Sequence, residues 1–599
     1  MSSIFFGVGI DHKCGDAGYA RMHLSIWLLC ALNCCETRTE MKILLIYPYC
    51  LEARLDAEDV SVPPIGIYYV GALLKAHHFD VEILNWHHAR KNPEMVQTTL
   101  ARKRPDVIGF SVLHANRWGA IDIARTAKAL DPKVQIVFGG IGATFLWAHF
   151  LTHFTEIDFC VIGEGEYPFL NLVKALLTGD DAAVQRVQGI AFRQGSQVIR
   201  TKAPARILDI DAFPNPAIYF TYQHVISSRG CPNNCTFCGS PRFWGRKVCF
   251  HSPPYFVDQL QLLYEKGVRF FYFSDDTFTL RKNRVIRICQ EILGRGMAIS
   301  WAAISRVNLV DEEILLWMRK AGCTQISYGV ESGSEKIRNL LNKGISDHQI
   351  RKAFHLTQQL GIMARGYFIY GSPGETWDTI EDTLRIIREI KPLSAIFYIL
   401  DIFPGTALYA DFLKQTGLND DIWLKQGEDI MYFETDPALS EDVILAFGQK
   451  LRNTFYTLLP QFVESLRLMD QKDLYPLHAD FLSRLGMTFS QGDYAQVNGI
   501  GHKQAIAESL YQRSLGYQEN HRAYLGLGIL RQQQKDFADA VQILNEAIVR
   551  YPESEELHLC LGISHMNLGQ WQAALSVLTR FPNSEQAAYY IKECRKALL

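Results

Sequence analysis

Residues 224–238 of the 599-residue chain read His-Val-Ile-Ser-Ser-Arg-Gly-Cys-Pro-Asn-Asn-Cys-Thr-Phe-Cys. The stretch opens on a short β-rich run and ends in a C-x3-C-x2-C cluster, a spacing that chance would give in roughly 1% of such chains or fewer. Thiolates this close on a turning loop can ligate one metal centre, and soft sulfur ligands favour zinc or an iron–sulfur cluster. The stretch therefore predicts a strand that leads into a metal-binding loop.

Spacing alone leaves two kinds of metal centre open. A closed structural zinc site takes four protein ligands, and either Cys249 or His251 downstream could complete one. An iron–sulfur cubane normally takes four thiolates, so three cysteines would leave one iron open to a substrate or cofactor. The first centre is structural, whereas the second is reactive.

Strands and helices alternate around the cysteine cluster. β-rich runs at residues 225–228, 270–274, 299–304, 325–330, 364–370 and 395–400 are separated by helical periodicity. Six such units over residues 217–440 predict a partial (βα)6 TIM-type barrel within an α/β fold. Ligands of this fold lie at the carboxyl ends of the strands, and the polar motifs of this region fall there.

The cysteine loop and three later motifs resemble those of the radical S-adenosylmethionine enzymes. That family carries C-x3-C-x-aromatic-C after the first barrel strand, which Cys231, Cys235, Phe237 and Cys238 match. The later motifs end the second, fourth and fifth predicted strands, at residues 274–278, 329–333 and 366–375. Four motifs in the family's order favour a [4Fe-4S] cluster on the three cysteines over zinc.

The resemblance also implies which side chains hold S-adenosylmethionine. Ionised carboxylates can accept hydrogen bonds from ribose hydroxyls or from an ammonium group. Helix capping is the alternative role for Asp275 or Ser332, and Arg306 is either a carboxylate partner or a surface residue. The implied set is Phe237, Asp275, Asp276, Arg306, Glu331, Ser332, Gly371 and Glu375.

The chemistry implied by the resemblance is reductive cleavage of S-adenosylmethionine. An electron from the cluster yields methionine and a 5'-deoxyadenosyl radical, which abstracts hydrogen from a substrate. The protein must hold the cofactor and exclude water. The implied partners are an electron donor protein such as a flavodoxin or ferredoxin, and a small-molecule or lipid-like substrate.

Residues 41–185 predict a second α/β unit ahead of the barrel. Strands at 43–47, 81–84, 107–112, 136–139 and 159–162 alternate with helices, as in a flavodoxin-like (Rossmann-like) parallel sheet. The unit is similar to the cobalamin-binding domain that precedes this barrel in one large subgroup, although its glycines would also suit ordinary turns. The implied cobalamin-binding residues are Ser111, Gly139, Gly140, Thr144, Gly163, Glu164 and Gly165.

One departure from other cobalamin proteins concerns the cobalt ligand. The D-x-H-x-x-G signature, which supplies a histidine to cobalt elsewhere, is absent after the first strand, where Tyr-Pro-Tyr-Cys-Leu stands at residues 47–51. We therefore expect cobalt without a protein histidine, with His114 on another loop as the alternative ligand. An empty sheet that serves only as a substrate lid is the alternative to cobalamin binding.

The last part of the chain changes to paired helices. Residues 523–528 recur as residues 557–562, a displacement of 34 that is typical of tetratricopeptide repeats. We predict repeats over residues 476–599, with an eight-residue insertion near residues 497–504 and a possible protein partner on the stack.

Linkers are expected at residues 186–216 and, in helical form, at residues 441–475. Residues 1–40 are expected to be disordered or a mis-assigned extension, with Met41 as the alternative start.

Composition narrows the function further. A net charge of −2 gives no broad basic field, so no nucleic-acid partner is expected. The longest apolar run, residues 22–35, is shorter than the ~20 residues that a membrane span needs. Fourteen dispersed cysteines suit reduced thiols in the cytoplasm.

The leading hypothesis is a cobalamin-dependent methyltransferase acting on an unactivated centre. The alternatives are a cobalamin-linked radical cyclase or rearrangement enzyme, and a docking protein with an inactive barrel.

Overall fold

The computed structural model describes residues 41–50, 62–426, 430–436 and 438–599. The extension predicted over residues 1–40 lies outside these ranges. Along the described chain an open sheet is followed by a second parallel sheet and then by a stack of helices. Within these ranges, no helix is both long enough and apolar enough to cross a bilayer.

The N-terminal sheet has seven strands in the order β2-β1-β3-β4-β5-β6-β7. The first five are parallel and follow the 2-1-3-4-5 order of flavodoxin-like folds, which confirms the predicted fold class. Apolar clusters lie on both faces of the sheet, which is why its central strands are apolar throughout. The elements are β1 (Lys42–Tyr47), α1 (Gly66–Ala76), β2 (Asp80–Asn85), α2 (Pro93–Lys103), β3 (Val107–Ser111), α3 (Arg117–Leu130), β4 (Gln135–Gly139), α4 (Ile141–His153), β5 (Phe159–Val161), α5 (Glu166–Thr178), α6 (Asp181–Gln185), β6 (Ile190–Gln194) and β7 (Gln197–Arg200).

The segment predicted as a linker, residues 186–216, contributes to this sheet. β6 and β7 form an antiparallel hairpin, and β6 pairs with the edge of β5. Gly195 begins the turn with a φ of +62°, a conformation that favours glycine. The hairpin strands are too short to give a clear alternating pattern, so pairing with β5 decides their structure.

The second sheet holds the predicted barrel strands. Six parallel strands lie in the order β8-β11-β12-β13-β14-β15, and β9 and β10 form a separate antiparallel pair. These are the strands that the sequence predicts. At most of their ends, the observed bound differs from the predicted one by one or two residues. The elements are β8 (His224–Val225), β9 (Ser228–Arg229), α7 (Ser240–Phe243), β10 (Cys249–Phe250), α8 (Pro253–Glu265), β11 (Phe270–Phe273), α9 (Lys282–Gly294), β12 (Ser300–Ser305), α10 (Glu312–Lys320), β13 (Cys323–Glu331), α11 (Glu335–Leu340), α12 (Asp347–Gln359), β14 (Met363–Tyr370), α13 (Trp377–Ile390), β15 (Ser394–Ile399) and α14 (Ala407–Thr416).

The C-terminal part of the chain is helical. A 25-residue helix, α15, leads into pairs of helices that include the predicted repeats. The predicted insertion coincides with the non-helical residues between α17 and α18. The helices are α15 (Glu441–Ser465), α16 (Tyr475–Ser490), α17 (Asp493–Gln496), α18 (Lys503–Tyr517), α19 (His521–Gln533), α20 (Phe537–Arg550), α21 (Glu555–Asn567), α22 (Trp571–Leu578) and α23 (Glu585–Ala597).

The first C-terminal helices are part of the barrel's core. Leu482 and Leu510 are fully buried in the same apolar cluster as the barrel strands. Arg484 on α16 donates from Nη2 to Oγ of Ser300 at 3.2 Å, and the hydroxyl of Tyr494 donates to the carbonyl of Leu393 at 2.6 Å. Ser300 begins β12 and Leu393 precedes β15, so these helices cover the amino ends of the strands, opposite the expected site.

Candidate active site

The cysteine loop runs from the end of β9 to the start of α7. Cys235 is buried, while Cys231 and Cys238 are partly exposed. Nδ2 of Asn233 donates to Sγ of Cys231 at 3.2 Å. The pKa of Cys238 is raised to about 11, mainly by burial and to a smaller extent by the neighbouring Asp276, Cys235 and Cys231. The three thiols are therefore close enough to interact. Because thiolates repel one another, a cation is needed to hold all three deprotonated, and the loop therefore suits a metal centre.

Cys249 and His251, the two candidates for a fourth zinc ligand, form hydrogen bonds to other residues outside the cysteine loop. Nε2 of His251 lies 2.8 Å from the hydroxyl of Tyr69, and its Nδ1 lies 2.8 Å from Oδ1 of Asp211. Sγ of Cys249 lies 3.5 Å from the carbonyl oxygen of Ile207. With both side chains occupied in this way, the loop offers three thiol ligands, which fits a cluster with one open iron better than a closed zinc site.

Arg306 and Glu331 lie at the carboxyl ends of β12 and β13, close to the cysteine loop. Nη1 of Arg306 lies 3.7 Å from Sγ of Cys235, and its Nη2 donates to the carbonyl of Lys343. Nζ of Lys343 donates to Oε1 of Glu331 at 2.6 Å, and both side chains are buried. Glu331 has a φ of +67°, which is strained for a residue with a side chain. Lys343 follows α11 outside every motif, so the sequence carried no signal for it.

The two aspartates after β11 have different surroundings. The Asp275 carboxylate accepts from the backbone N–H of Ser227 at 3.0 Å and from the hydroxyls of Ser227 and Ser228. Asp276 accepts from the Ser240 hydroxyl at 2.8 Å. Burial raises the pKa of both carboxyls. Asp275 therefore braces the strand that precedes the cysteine loop, whereas Asp276 faces the cavity described below.

Glu375 closes the turn after β14. Its Oε2 accepts from the backbone N–H groups of Gly371 and Ser372, and Gly371 adopts a φ of +79° to allow this. Its Oε1 is buried without a partner, and burial raises the pKa of the carboxyl to about 7. A buried oxygen without a donor is a ready acceptor for a ligand.

The other two predicted S-adenosylmethionine residues have structural neighbours. The Ser332 hydroxyl accepts from the backbone N–H of Ser334 at 3.1 Å and lies 3.3 Å from Oγ1 of Thr383. Phe237 packs on a small apolar cluster at this end of the barrel. Both residues lie beside the site, but neither has an unsatisfied polar group there.

A cavity of about 520 Å³ separates the N-terminal sheet from the cysteine loop. Six of the seven predicted cobalamin-binding residues line it, namely Ser111, Gly139, Gly140, Gly163, Glu164 and Gly165. The opposite wall includes Cys238, Ser240 and Asp276. Thr144 lies behind the lining: its hydroxyl donates to the carbonyl of Gly140 at 2.8 Å and accepts from the N–H of Gly163 at 3.0 Å. Thr144 therefore holds two strand-end segments together.

The lining of the cavity is largely apolar and rich in glycine. It reaches between the sheet and helices α1 and α5, where Leu45, Gly109 and Phe169 line it. A Cβ built at Gly139 would meet no atom closer than 3.7 Å, so the glycine leaves free space toward the cavity. No histidine is found among the lining residues that the structure describes. The expectation of cobalt without a protein histidine stays a prediction.

His114 lies outside the cavity lining. Its ring is buried between Phe403 and Trp423, with centroid separations of 5.7 and 6.0 Å. Neither ring nitrogen has a hydrogen-bond partner, and burial lowers the pKa of the imidazole to about 3. His114 is therefore a neutral core residue, and its placement does not favour the role of a cobalt ligand.

Comparison with known proteins identifies each part of the chain. The model of the Radical SAM superfamily matches residues 225–387, and that of the B12 binding domain matches residues 59–173. A tetratricopeptide repeat model matches residues 522–554. The three matches fall on the barrel, the N-terminal sheet and the α19–α20 pair.

Two relatives found by sequence comparison align with about two thirds of the chain. An uncharacterized methyltransferase of Pyrococcus horikoshii is 31% identical over 411 residues, which span 67% of this chain and 88% of the relative. An anaerobic magnesium-protoporphyrin IX monomethyl ester cyclase of Cereibacter sphaeroides is 29% identical over 399 residues, 63% of this chain and 65% of the relative.

Solved structures share the fold. The radical S-adenosylmethionine methyltransferase TsrM of Kitasatospora setae superposes with a TM-score of 0.57 at 16% identity, over 80% of this chain and 100% of that chain. The cobalamin-dependent radical enzyme OxsB superposes with a TM-score of 0.55 at 16% identity, over 93% of this chain and 84% of that chain.

The predicted family, enzyme class and cofactors are thereby confirmed, and the docking protein with an inactive barrel is set aside. The assignment of individual residues to each cofactor stays a prediction. The chain belongs to the radical S-adenosylmethionine superfamily, in the group with a B12 binding domain, and is an enzyme whose cofactors are a [4Fe-4S] cluster, S-adenosylmethionine and cobalamin.

Proposed function

We propose that this enzyme is a methyltransferase that methylates an unactivated centre of a small-molecule or lipid-like substrate. The observation that carries the proposal is the shared cavity, because the strand ends of the N-terminal sheet and the cysteine loop form its opposite walls. Cobalamin would supply a methyl carrier there, and S-adenosylmethionine would supply both the methyl group and the hydrogen-abstracting radical.

The chain's own residues would position these groups. Cys231, Cys235 and Cys238 would hold the cluster, and the free Oε1 of Glu375 would accept a hydrogen bond from S-adenosylmethionine. Apolar side chains of the lining, among them Phe243 and Trp244, would exclude water from the reacting groups. An external electron donor such as a flavodoxin or ferredoxin would reduce the cluster.

A radical cyclase is the second candidate. Three relatives carry the name of an anaerobic magnesium-protoporphyrin IX monomethyl ester cyclase, at 27–29% identity. The alignment with this chain covers 65–72% of the length of each cyclase relative, but 88% of the length of the methyltransferase relative from Pyrococcus. We favour methyl transfer because the more fully matched relative carries that name.

The test separates the two reactions by their by-products. The enzyme is reconstituted anaerobically with iron, sulfide and cobalamin, reduced, and incubated with a small-molecule extract and S-adenosylmethionine carrying a trideuterated methyl group. Methyl transfer predicts S-adenosylhomocysteine and a product that carries three deuterium atoms. A product that forms with 5'-deoxyadenosine but without deuterium would overturn the proposal and support the cyclase. Cys235→Ala protein serves as the control for chemistry that is independent of the cluster.

A further inference from the structure

We propose that His149, His153 and Asp421 form a binding site for a divalent transition-metal ion, separate from the cluster and from the cavity. The two histidines lie near the end of α4 in the N-terminal sheet, and Asp421 lies in a 3-10 segment, Asp420–Leu424, after α14. The site would therefore join the two α/β parts of the chain.

The geometry brings three ligand atoms together. Residues four apart on a helix share one face, so both imidazoles point toward the same neighbour. Nε2 of His153 lies 2.9 Å from Oδ1 of Asp421, and Nδ1 of His149 lies 3.9 Å from the same oxygen. One ligand atom from each of the three side chains lies within 4.8 Å of the others. Small side-chain rotations would bring all three atoms to about 2 Å from one ion.

The state of His149 is the second observation that points to a ligand. Its side chain is only 2% exposed, and neither ring nitrogen has a hydrogen-bond partner. Buried polar groups normally have hydrogen-bond partners. An unpartnered buried ring therefore either destabilises the fold or binds a ligand through one of its nitrogens.

The donor set favours zinc or a similar ion. Two imidazoles and one carboxylate leave the fourth tetrahedral position for water, a common arrangement for Zn²⁺. Asp421 is 54% and His153 is 31% exposed, so water and the ion can enter from solvent. Arg117 places a positive charge nearby, but its Nη1 donates to the carbonyl of His114 at 2.7 Å and its guanidinium stacks on Trp423. The Asp421 carboxylate offsets that charge.

Binding would restrain the helix that borders the cofactor cavity. α4 begins at Ile141, which lines the cavity, and ends at His153. An ion bound at its last turns would fix that end to the segment after the barrel. Because the three ligands lie outside the cavity lining, we expect the ion to affect stability rather than the chemical step.

The test measures zinc bound to the full-length enzyme after its cluster has been reconstituted, so that iron occupies the cysteine loop. Equilibrium dialysis against zinc chloride compares wild-type protein with His153→Gln and Asp421→Asn. The matched controls are His355→Gln and Asp411→Asn, which replace exposed residues outside the site. We expect the two site variants to bind about one zinc ion fewer per chain than wild type and both controls.

A second measurement guards against misfolding. Zinc should raise the melting temperature of wild type and of both controls, and should leave the two site variants unchanged, while iron content stays equal in all five proteins. Asp421→Glu should restore zinc binding. Equal zinc content in wild type and Asp421→Asn, with iron content intact, would overturn the proposal.

Discussion

Nη2 of Arg229 lies 2.5 Å from Oε1 of Glu166, although both side chains are buried and belong to different parts of the fold. Arg229 ends β9, two residues before the first cluster cysteine, and Glu166 begins α5. Nη1 of the same arginine donates to Glu164, which lines the cavity, at 3.1 Å. The guanidinium therefore links the cysteine loop to the N-terminal sheet across the edge of the cavity.

Removing this arginine should destabilise the protein strongly. Arg229→Met leaves the buried Glu166 and the partly buried Glu164 without their cationic partner, and breaking a buried ion pair in this way costs about 3–5 kcal/mol. The measurement is the free energy of unfolding by denaturant. Arg125→Met removes an exposed pair with Glu156 and should cost ~1 kcal/mol or less. Equal losses in the two variants would contradict a special role for Arg229.

Replacing one loop cysteine should abolish the cluster. Cys235→Ala leaves two thiol ligands, so iron should fall from about four atoms per chain to background, and formation of 5'-deoxyadenosine should stop. Both are measured after anaerobic reconstitution. Cys249→Ala is the matched control and should keep its iron, because Sγ of Cys249 faces Ile207 and Arg206 instead of the loop. Loss of iron from the control would reopen the four-ligand zinc interpretation.

Filling the cavity should weaken cobalamin binding. A Cβ at Gly139 meets no atom closer than 3.7 Å, so Gly139→Leu should fold and extend into the cavity. We expect cobalamin affinity to fall at least ten-fold, about 1.4 kcal/mol, as measured by retained cobalt. Gly294→Leu, at the end of α9 and with open space around its Cβ, should bind normally. Unchanged affinity of Gly139→Leu would place cobalamin elsewhere.

The stability of the enzyme should depend on pH through Glu375. Burial raises the pKa of this carboxyl from its ordinary 4.5 to about 7, so the native state resists ionisation. The associated stability is fully present below pH ~4.5 and is lost as pH rises to about 7, at a cost of about 3 kcal/mol. Glu375→Gln cannot ionise, and its advantage over wild type should grow across that window and then level off.

This comparison uses unfolding free energies at pH 5.5, 7 and 8.5 in the absence of S-adenosylmethionine. Glu381→Gln, on an exposed part of α13, is the control and should show no such trend. A constant difference between Glu375→Gln and wild type at all three values of pH would contradict the raised pKa.

Truncation should divide the helical region into two parts. Deleting residues 471–599 removes α16 and α18, which are part of the barrel's core, and should give protein that does not fold. Deleting residues 553–599 removes only α21 to α23, whose packing lies in separate clusters, and should leave iron and cobalamin content unchanged. Soluble, iron-loaded protein from the longer deletion would show that the barrel does not need these helices.

The cysteine loop and the strand pattern could be predicted because their information is local. Three cysteines within eight residues have a recognisable spacing, and runs of apolar and β-branched residues mark the strands whatever they pack against. The 34-residue repeat could be read for the same reason. The hairpin at β6 and β7 could not, because the edge of β5 decides its structure.

The sequence by itself therefore determined the kind of chemistry and the order of the parts. Only the tertiary structure decided how those parts meet. It brings Arg229 to two glutamates that lie 63 and 65 residues earlier in the chain, and it pairs Lys343 with Glu331. It also places His153 beside Asp421, which lies 268 residues later in the chain. These contacts join residues that no periodicity relates. Their energies come from burial and charge in a low-dielectric interior, which exists only once the chain has folded.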